Sequence, residues 1–123
     1  MKHVPTFILA IVTVFAPIQA ALATVMVLII VDLATGIAAA KKRKEAITSS
    51  GLKRTVIKFF IYETALILAF LCGQYLIDIL PVVKIVSTFI GLTELKSCYE
   101  NLNEISGGDL LKQLISKLNV GDK

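Results

Sequence analysis

The stretch IQAALATVMVLIIVDLATGIAAAKKRK, residues 18–44, decides the fold class of this chain. Residues 18–40 are almost entirely apolar, and as a helix they measure about 34 Å, enough to cross the hydrocarbon core of a bilayer. Asp32 interrupts this run, and a carboxylate at that depth costs roughly 2.5–3.5 kcal/mol, so we expect it to have a function. The basic cluster Lys41-Lys42-Arg43-Lys44 ends the run and predicts a cytoplasmic end, because Lys and Arg are retained on that side.

The composition indicates a membrane protein made of a single domain, residues 1–123. Hydrophobic residues make up 56% of the chain and charged residues 18%, whereas soluble domains average about 45–50% and about 25%. Residues 41–58 carry seven of the thirteen basic side chains and one acid, Glu45. Because apolar runs flank this window, it indicates a loop beside anionic lipid headgroups, and we expect no nucleic-acid partner.

Residues 4–40 are predicted to form a bent first apolar segment and the first transmembrane helix. The part before Pro17 measures only about 20 Å as a helix, so it is interfacial, re-entrant or the bent start of the span. A cleavable signal peptide is an alternative, since Met1-Lys2-His3 is basic and Ala21-Leu22-Ala23 offers a small-residue site. The apolar residues that continue past this site argue against cleavage.

Residues 41–54 are predicted to be a basic cytoplasmic loop, and residues 55–80 the second transmembrane helix. Thr48-Ser49-Ser50-Gly51 is a cluster of turn formers within the loop. The helix that follows has a polar face and, on roughly the opposite side, a row of small residues suited to close helix packing. Lys41, Lys42, Arg43, Lys44, Lys53 and Arg54 are the expected topology and headgroup residues; Glu63, Gln74 and Asp78 form the polar face; and Ala65, Ala69 and Gly73 form the small-residue row.

Residues 81–104 are predicted to form an amphipathic third transmembrane helix, and residues 109–118 an amphipathic tail helix after Gly107-Gly108. The third helix spans a membrane comfortably only if partners or water cover its polar stripe. Several copies would therefore assemble with this stripe and the polar face of the second helix around water. The stripe contains Lys84, Ser87, Thr88 and Glu94. The tail would rest on the membrane or pair with a copy of itself.

No chemistry other than assembly is well supported by the residue types. Cys72 and Cys98 have no metal-type spacing, and His3 is the single histidine. The membrane carboxylates invite a proton-relay interpretation, but nothing supplies a nucleophile, a metal site or a substrate pocket. We therefore expect no enzyme activity and no cofactor, and we expect the carboxylates to satisfy polar groups inside an assembled helix bundle.

Asp32, Thr35, Gly36 and Ala39 lie together on one side of the first transmembrane helix, a packing surface rather than a lipid-facing one. The order of short motifs along the chain resembles the phage lysis and toxin-secretion holin family. These motifs are Asp32-Leu33-Ala34-Thr35-Gly36 with Ala40, then Ser49-Ser50-Gly51 with Lys53, Arg54 and Lys58, then Glu94, Ser97 and Glu100-Asn101.

This resemblance implies a protein that assembles with itself in the bacterial cytoplasmic membrane. There it opens lesions that release an endolysin, a functional partner it need not touch, or a secreted toxin. Asp32, Thr35, Gly36 and Ala39 then become assembly or gating residues. The rivals are a small oligomeric proton-coupled transporter or channel that uses Glu63 or Asp32, and an antiholin or structural membrane protein, because the same motifs serve an antagonist.

Overall fold

The computed structural model describes residues 5–119, which are 86% helical and contain no strand. Five helices follow one another: α1 (Thr6–Phe15), α2 (Gln19–Lys42), α3 (Ser49–Tyr75), α4 (Val82–Ser106) and α5 (Leu110–Asn119). The all-α prediction is confirmed. Residues 1–4, which hold the basic start of the signal-peptide alternative, lie outside the described part.

Pro17 shapes the junction between α1 and α2. It lies in a 3₁₀ turn, Ala16–Ile18, which joins the two helices into one helical stretch from Thr6 to Lys42. A proline has no backbone N–H and cannot continue the α-helical hydrogen bonds, so a tighter turn replaces them here. Phe15 beside this turn packs on Phe70 of α3, with ring centroids 5.8 Å apart. The first apolar segment is therefore the start of the first long helix.

Two helical stretches are long and apolar enough to cross a membrane. Thr6–Lys42 has a mean hydropathy of 2.4 and Ser49–Tyr75 one of 1.9, each over its most apolar 18 residues. Only 17% of each of these windows is buried, whereas the central helix of a soluble protein is mostly buried. Exposed side chains such as Phe7 (73%) and Phe60 (64%) suit contact with lipid instead. Helix α4 does not reach this apolarity.

The connections between helices differ from those that the sequence predicts, the first being shorter and the second longer. Helix α3 begins at Ser49, inside the predicted loop of residues 41–54, because Thr48 takes an extended conformation and the turn formers after it enter the first helical turn. The same helix ends at Tyr75 instead of residue 80, which places Asp78 outside it. Pro81 explains why the chain stays non-helical just before α4, since proline disfavours helical geometry at the preceding residue.

Helices α2, α3 and α4 form an antiparallel bundle around a small apolar core. Val25, Ile29, Leu66 and Ile90 are buried at its centre, and side chains from all three helices pack against them. Gly107 ends α4 in the left-handed conformation, with φ of 77°, which glycine adopts at little cost. Helix α5 follows as the predicted tail, extending one residue further at Asn119.

Candidate functional site: a charged contact among three helices

The most polar part of the bundle is a buried contact that joins α2, α3 and α4. Lys58 of α3 reaches two carboxylates: its Nζ lies 2.8 Å from Asp32 Oδ2 on α2 and 2.8 Å from Glu94 Oε2 on α4. The Glu94 side chain is fully buried, and those of Asp32 and Lys58 are 15% and 25% exposed. We call Asp32, Lys58 and Glu94 the charge cluster.

Hydrogen bonds hold both carboxylates of the charge cluster in place. Tyr62, one turn after Lys58, donates its hydroxyl to Glu94 Oε1 at 3.0 Å. Asn101 donates from Nδ2 to Asp32 Oδ1 and to the Thr35 hydroxyl, each at 3.2 Å. Each carboxylate thus accepts a hydrogen bond from another helix, as buried polar groups require, whereas Glu94 Oε2 meets Lys58 as an ion pair without an aligned hydrogen bond.

Gly36 and Ala39 let α4 approach α2 closely beside the charge cluster. A Cβ atom built on Gly36 would already lie 3.5 Å from Nδ2 of Asn101, so a longer side chain would displace this amide. Ala39, one turn nearer the basic end, is completely buried. All four residues predicted for assembly or gating are therefore at the helix contacts of a single chain, and their role in assembly stays a prediction.

The charge cluster has one more negative than positive formal charge, because two carboxylates share one ammonium group. Removing charges from water is costly, and breaking a buried pair leaves an uncompensated charge. A cleft of about 360 Å³ reaches this point from the basic end of the bundle and is lined by residues including Asp32, Lys58 and Asn101. The cleft explains why Asp32 and Lys58 keep some exposure while Glu94 keeps none.

A second set of contacts ties the basic end of α2 to the end of α4. Lys42 donates from Nζ to the backbone carbonyl of Ile105 at 2.9 Å. Arg43 forms ion pairs with Glu104 and with Glu45, the latter at 2.9 Å. Two of the predicted topology residues thus also fix the C-terminal end of α4 beside the basic loop.

The other four predicted topology residues make no such contact with α4. Lys41 and Lys44 are exposed, and Lys53 and Arg54 lie in the first turns of α3 rather than in a loop.

In the structure, some of the residues predicted to line a pore are buried within one chain and others are exposed on its surface. Glu94 is enclosed within one chain, whereas Lys84 and Thr88 on the same helix are exposed and Ser87 is half-buried. The packed face of α4 runs through Ile90, Glu94 and Cys98. Glu94 is therefore buried, unlike Lys84 and Thr88, with which the sequence groups it in one polar stripe. Gln74 and Asp78 are exposed, and Glu63 is half-buried with one carboxylate oxygen that has no partner among the described residues.

The small-residue row of α3 also packs inside the chain. Ala69 is buried, Ala65 is half-buried, and a Cβ atom built on Gly73 would lie 3.7 Å from Val82 of α4. These small residues therefore pack against other helices of the same chain. Packing of this row between copies stays a prediction.

The sequence interpretation named Lys58 only within the family motif and not as a site residue, and it did not name Tyr62. A usable signal existed for Lys58. Asp32 lies ten residues before the end of α2, and Lys58 lies nine residues after the start of α3, so both are about 13–15 Å from the connecting loop. In an antiparallel helical hairpin, opposite charges at equal depth are natural partners. Tyr62 carries no such signal, because aromatic residues are common in any membrane helix.

Two long helices with apolar surfaces exposed for contact with lipid, and a charged contact that joins them to a third helix, define a helical membrane protein. The bacteriophage holin family model matches residues 9–121, and the chain belongs to this family. Lesion formation and endolysin release are typical of the family, which confirms the predicted relationship and class of function. No curated protein and no solved structure matches the chain.

Proposed function

We propose that this chain is a holin whose three-helix unit assembles with copies of itself in the bacterial cytoplasmic membrane. The lesions formed in this way release an endolysin, and no reaction is catalysed. The observation that carries this proposal is the charge cluster: Asp32, Lys58 and Glu94 come from the three stretches whose motifs resemble holins, and they meet at one point. A contact that fixes three helices defines the unit that assembles.

We also propose that α4 crosses the membrane as a third span. It packs antiparallel to α3, with Val82 beside Gly73 at one end and Glu94 beside Lys58 nearer the other. Glu94 is paired with Lys58, which lowers the cost of carrying this carboxylate through the bilayer. Lys84 lies in the first turn of α4, where a long side chain can extend to the interface.

The basic loop and the C-terminal tail are both cytoplasmic in this proposal. The positive charge at the end of α2 supports that side for the loop, and the Lys42 and Arg43 contacts hold the end of α4 beside it. Cysteine labelling of intact cells tests the orientation in a background with Cys72 and Cys98 replaced by Ala. Ile79→Cys, in the opposite turn and 92% exposed, should react with an impermeant maleimide, and Ile47→Cys in the loop should not. The reverse pattern overturns the orientation.

Assembly should cover or hydrate the polar groups that one chain leaves on its outside. Glu63 lies in the middle of α3 with an unpartnered oxygen, and an unpaired carboxylate in lipid is costly. Gln74, Lys84 and Thr88 are exposed in a region that we place in the membrane. These residues give separate units a reason to associate and give the assembled units a surface that water can wet.

Induced expression in bacteria tests the proposal as a whole. With an endolysin present in the cytoplasm, the chain should collapse the membrane potential and lyse the culture after a delay. Asp32→Asn should delay or abolish lysis while the protein still inserts, because it removes one of the two carboxylates that hold Lys58. Continued growth with an intact potential would show that the chain does not open lesions by itself. Delayed lysis in cells that also express an active holin would then identify it as an antiholin.

A further inference from the structure

Helix α5 carries an apolar face that nothing in residues 5–119 covers. Four of its side chains are more than half exposed: Leu111 (53%), Leu114 (53%), Ile115 (52%) and Leu118 (77%). At 100° per residue these four fall within about 100° of one another. On a helix of ten residues this makes one continuous apolar strip, which is costly to leave in water.

The charges of α5 lie where contact with a lipid surface requires them. On the helical wheel Lys112 and Lys117 flank the apolar strip on its two sides, each about 100–120° from its centre, whereas Gln113 and Ser116 lie on the opposite side. Lysines in these positions lay their apolar stems along the acyl chains and place their ammonium groups among headgroup phosphates. A helix that paired with a second copy through the same strip would bring these like charges towards each other.

The start of α5 is fixed at the basic end of the bundle, where the membrane orientation given under the proposed function, on which this inference rests, puts the bilayer surface. Asn103 of α4 accepts a hydrogen bond from the backbone N–H of Leu110 at 3.0 Å, and Tyr99 donates to Asp109 at 3.2 Å. The same end of the molecule holds Lys42, which contacts the end of α4, and the exposed Lys41. The apolar strip of α5 therefore begins at the level where the spanning helices leave the bilayer.

We propose that α5 docks on the anionic surface of the membrane. Its apolar strip is buried about 5–10 Å below the headgroup boundary. Lys112 and Lys117 bind the phosphates of anionic phospholipids, and Gln113 and Ser116 face water. The partner of this surface is thus the lipid bilayer itself rather than another copy of the chain.

Spin labels on the full-length chain in nanodiscs test this proposal. Cys72 and Cys98 are replaced by Ala, and a label is placed at Ile115→Cys on the apolar strip or at Ser116→Cys on the opposite side. In nanodiscs that contain phosphatidylglycerol, the label at position 115 should collide with dissolved oxygen and be protected from a water-soluble nickel chelate. The label at position 116 should show the opposite preference. These neighbouring positions form a matched pair, since only their direction from the helix axis differs.

Charge variants test the role assigned to the lysines. Lys112→Gln together with Lys117→Gln should lower the docking constant on phosphatidylglycerol by roughly 25-fold, about fivefold for each charge. The exposed Lys53→Gln, at the basic end of α3 and outside α5, is the control and should leave the docking constant unchanged. Equal exposure of positions 115 and 116 to nickel would overturn the proposal, because α5 would then lie in water. So would spin–spin coupling at position 115 that grows with the number of chains per nanodisc, because the strip would then be covered by a second copy.

Discussion

The charge cluster predicts that Lys58 contributes more to stability than Asp32, because one cation serves two anions. Lys58→Met leaves Asp32 and Glu94 facing each other with no positive charge, whereas Asp32→Asn leaves one balanced pair, Lys58 with Glu94. Breaking a buried ion pair by removing one partner costs about 3–5 kcal/mol. Because the Lys58 side chain is 25% exposed, we expect Lys58→Met to lower the free energy of unfolding by about 3 kcal/mol, the lower end of that range. For Asp32→Asn we expect about 1 kcal/mol, because the amide keeps a hydrogen bond with Asn101.

The chain carries its own probe for this measurement. Cys98 lies one turn after Glu94 on the packed face of α4 and is only 6% exposed, so its thiol reacts when the bundle opens. In a Cys72→Ala background in mild detergent, the alkylation rate of Cys98 reports the free energy of opening. A loss of about 3 kcal/mol should accelerate alkylation by on the order of 100-fold, and a loss of about 1 kcal/mol by roughly fivefold.

Charge compensation separates the ion-pair explanation from a simple packing defect. Adding Asp32→Asn and Glu94→Gln to Lys58→Met removes both uncompensated anions, so Cys98 should regain most of its protection. If Lys58→Met alkylates no faster than Asp32→Asn, or if the triple variant stays as reactive as Lys58→Met, the charge cluster does not hold the bundle together in this way.

Three further predictions concern other contacts. Gly36→Leu should delay lysis without preventing insertion, because the new side chain displaces Asn101, whereas the exposed Ala34→Leu on the same helix should leave lysis timing unchanged. Gly107→Ala should destabilise the end of α4 by about 1 kcal/mol, because φ is 77° there, whereas Gly51→Ala should not, since open space surrounds that Cβ position; amide hydrogen exchange compares them. The hydrogen bond from Arg43 lowers the pKa of Glu45, so any stabilisation it gives is present above the ordinary glutamate pKa and lost as the pH falls through the lowered one. Arg43→Gln should raise this pKa again in a carbon-13 NMR titration, and an unchanged pKa would contradict the assignment.

The helical architecture was predictable because membrane spans depend on local composition. The apolar runs before Lys41 and after Arg54 specify two long helices wherever they pack, and Gly107 marks the end of α4 through its own backbone preference. Helix boundaries were harder to predict. Ser49 and Ser50 favour turns in isolation, yet both join the first turn of α3, because a helix can begin immediately after an extended residue such as Thr48.

The partners within the site depend on three-dimensional packing, and a helical wheel does not contain that information. The wheel groups Glu94 with Lys84 by their angle on α4, but which face of α4 turns towards α2 and α3 is decided by the core around Leu66 and Ile90. Once that face is inside, Glu94 needs a buried cation, and Lys58 is the one at its depth. The sequence interpretation likewise placed Lys58 within the second span but gave it no partner, whereas in the structure it contacts two carboxylates.

The closed charge cluster limits how such a unit can line a lesion. If whole three-helix units associate without opening, the water-facing surface is supplied by exposed residues such as Thr88 and Lys84, and Glu94 stays inside each unit. If the helices of a unit separate, Glu94 and Asp32 become available, but Lys58 then loses both of its partners and the cost of about 3 kcal/mol returns for every chain. Association of closed units avoids this cost, so we expect lesions to form by that route. Thr88→Cys should therefore become reactive towards an impermeant maleimide when lesions form, while the native Cys98, one turn from Glu94, should stay protected.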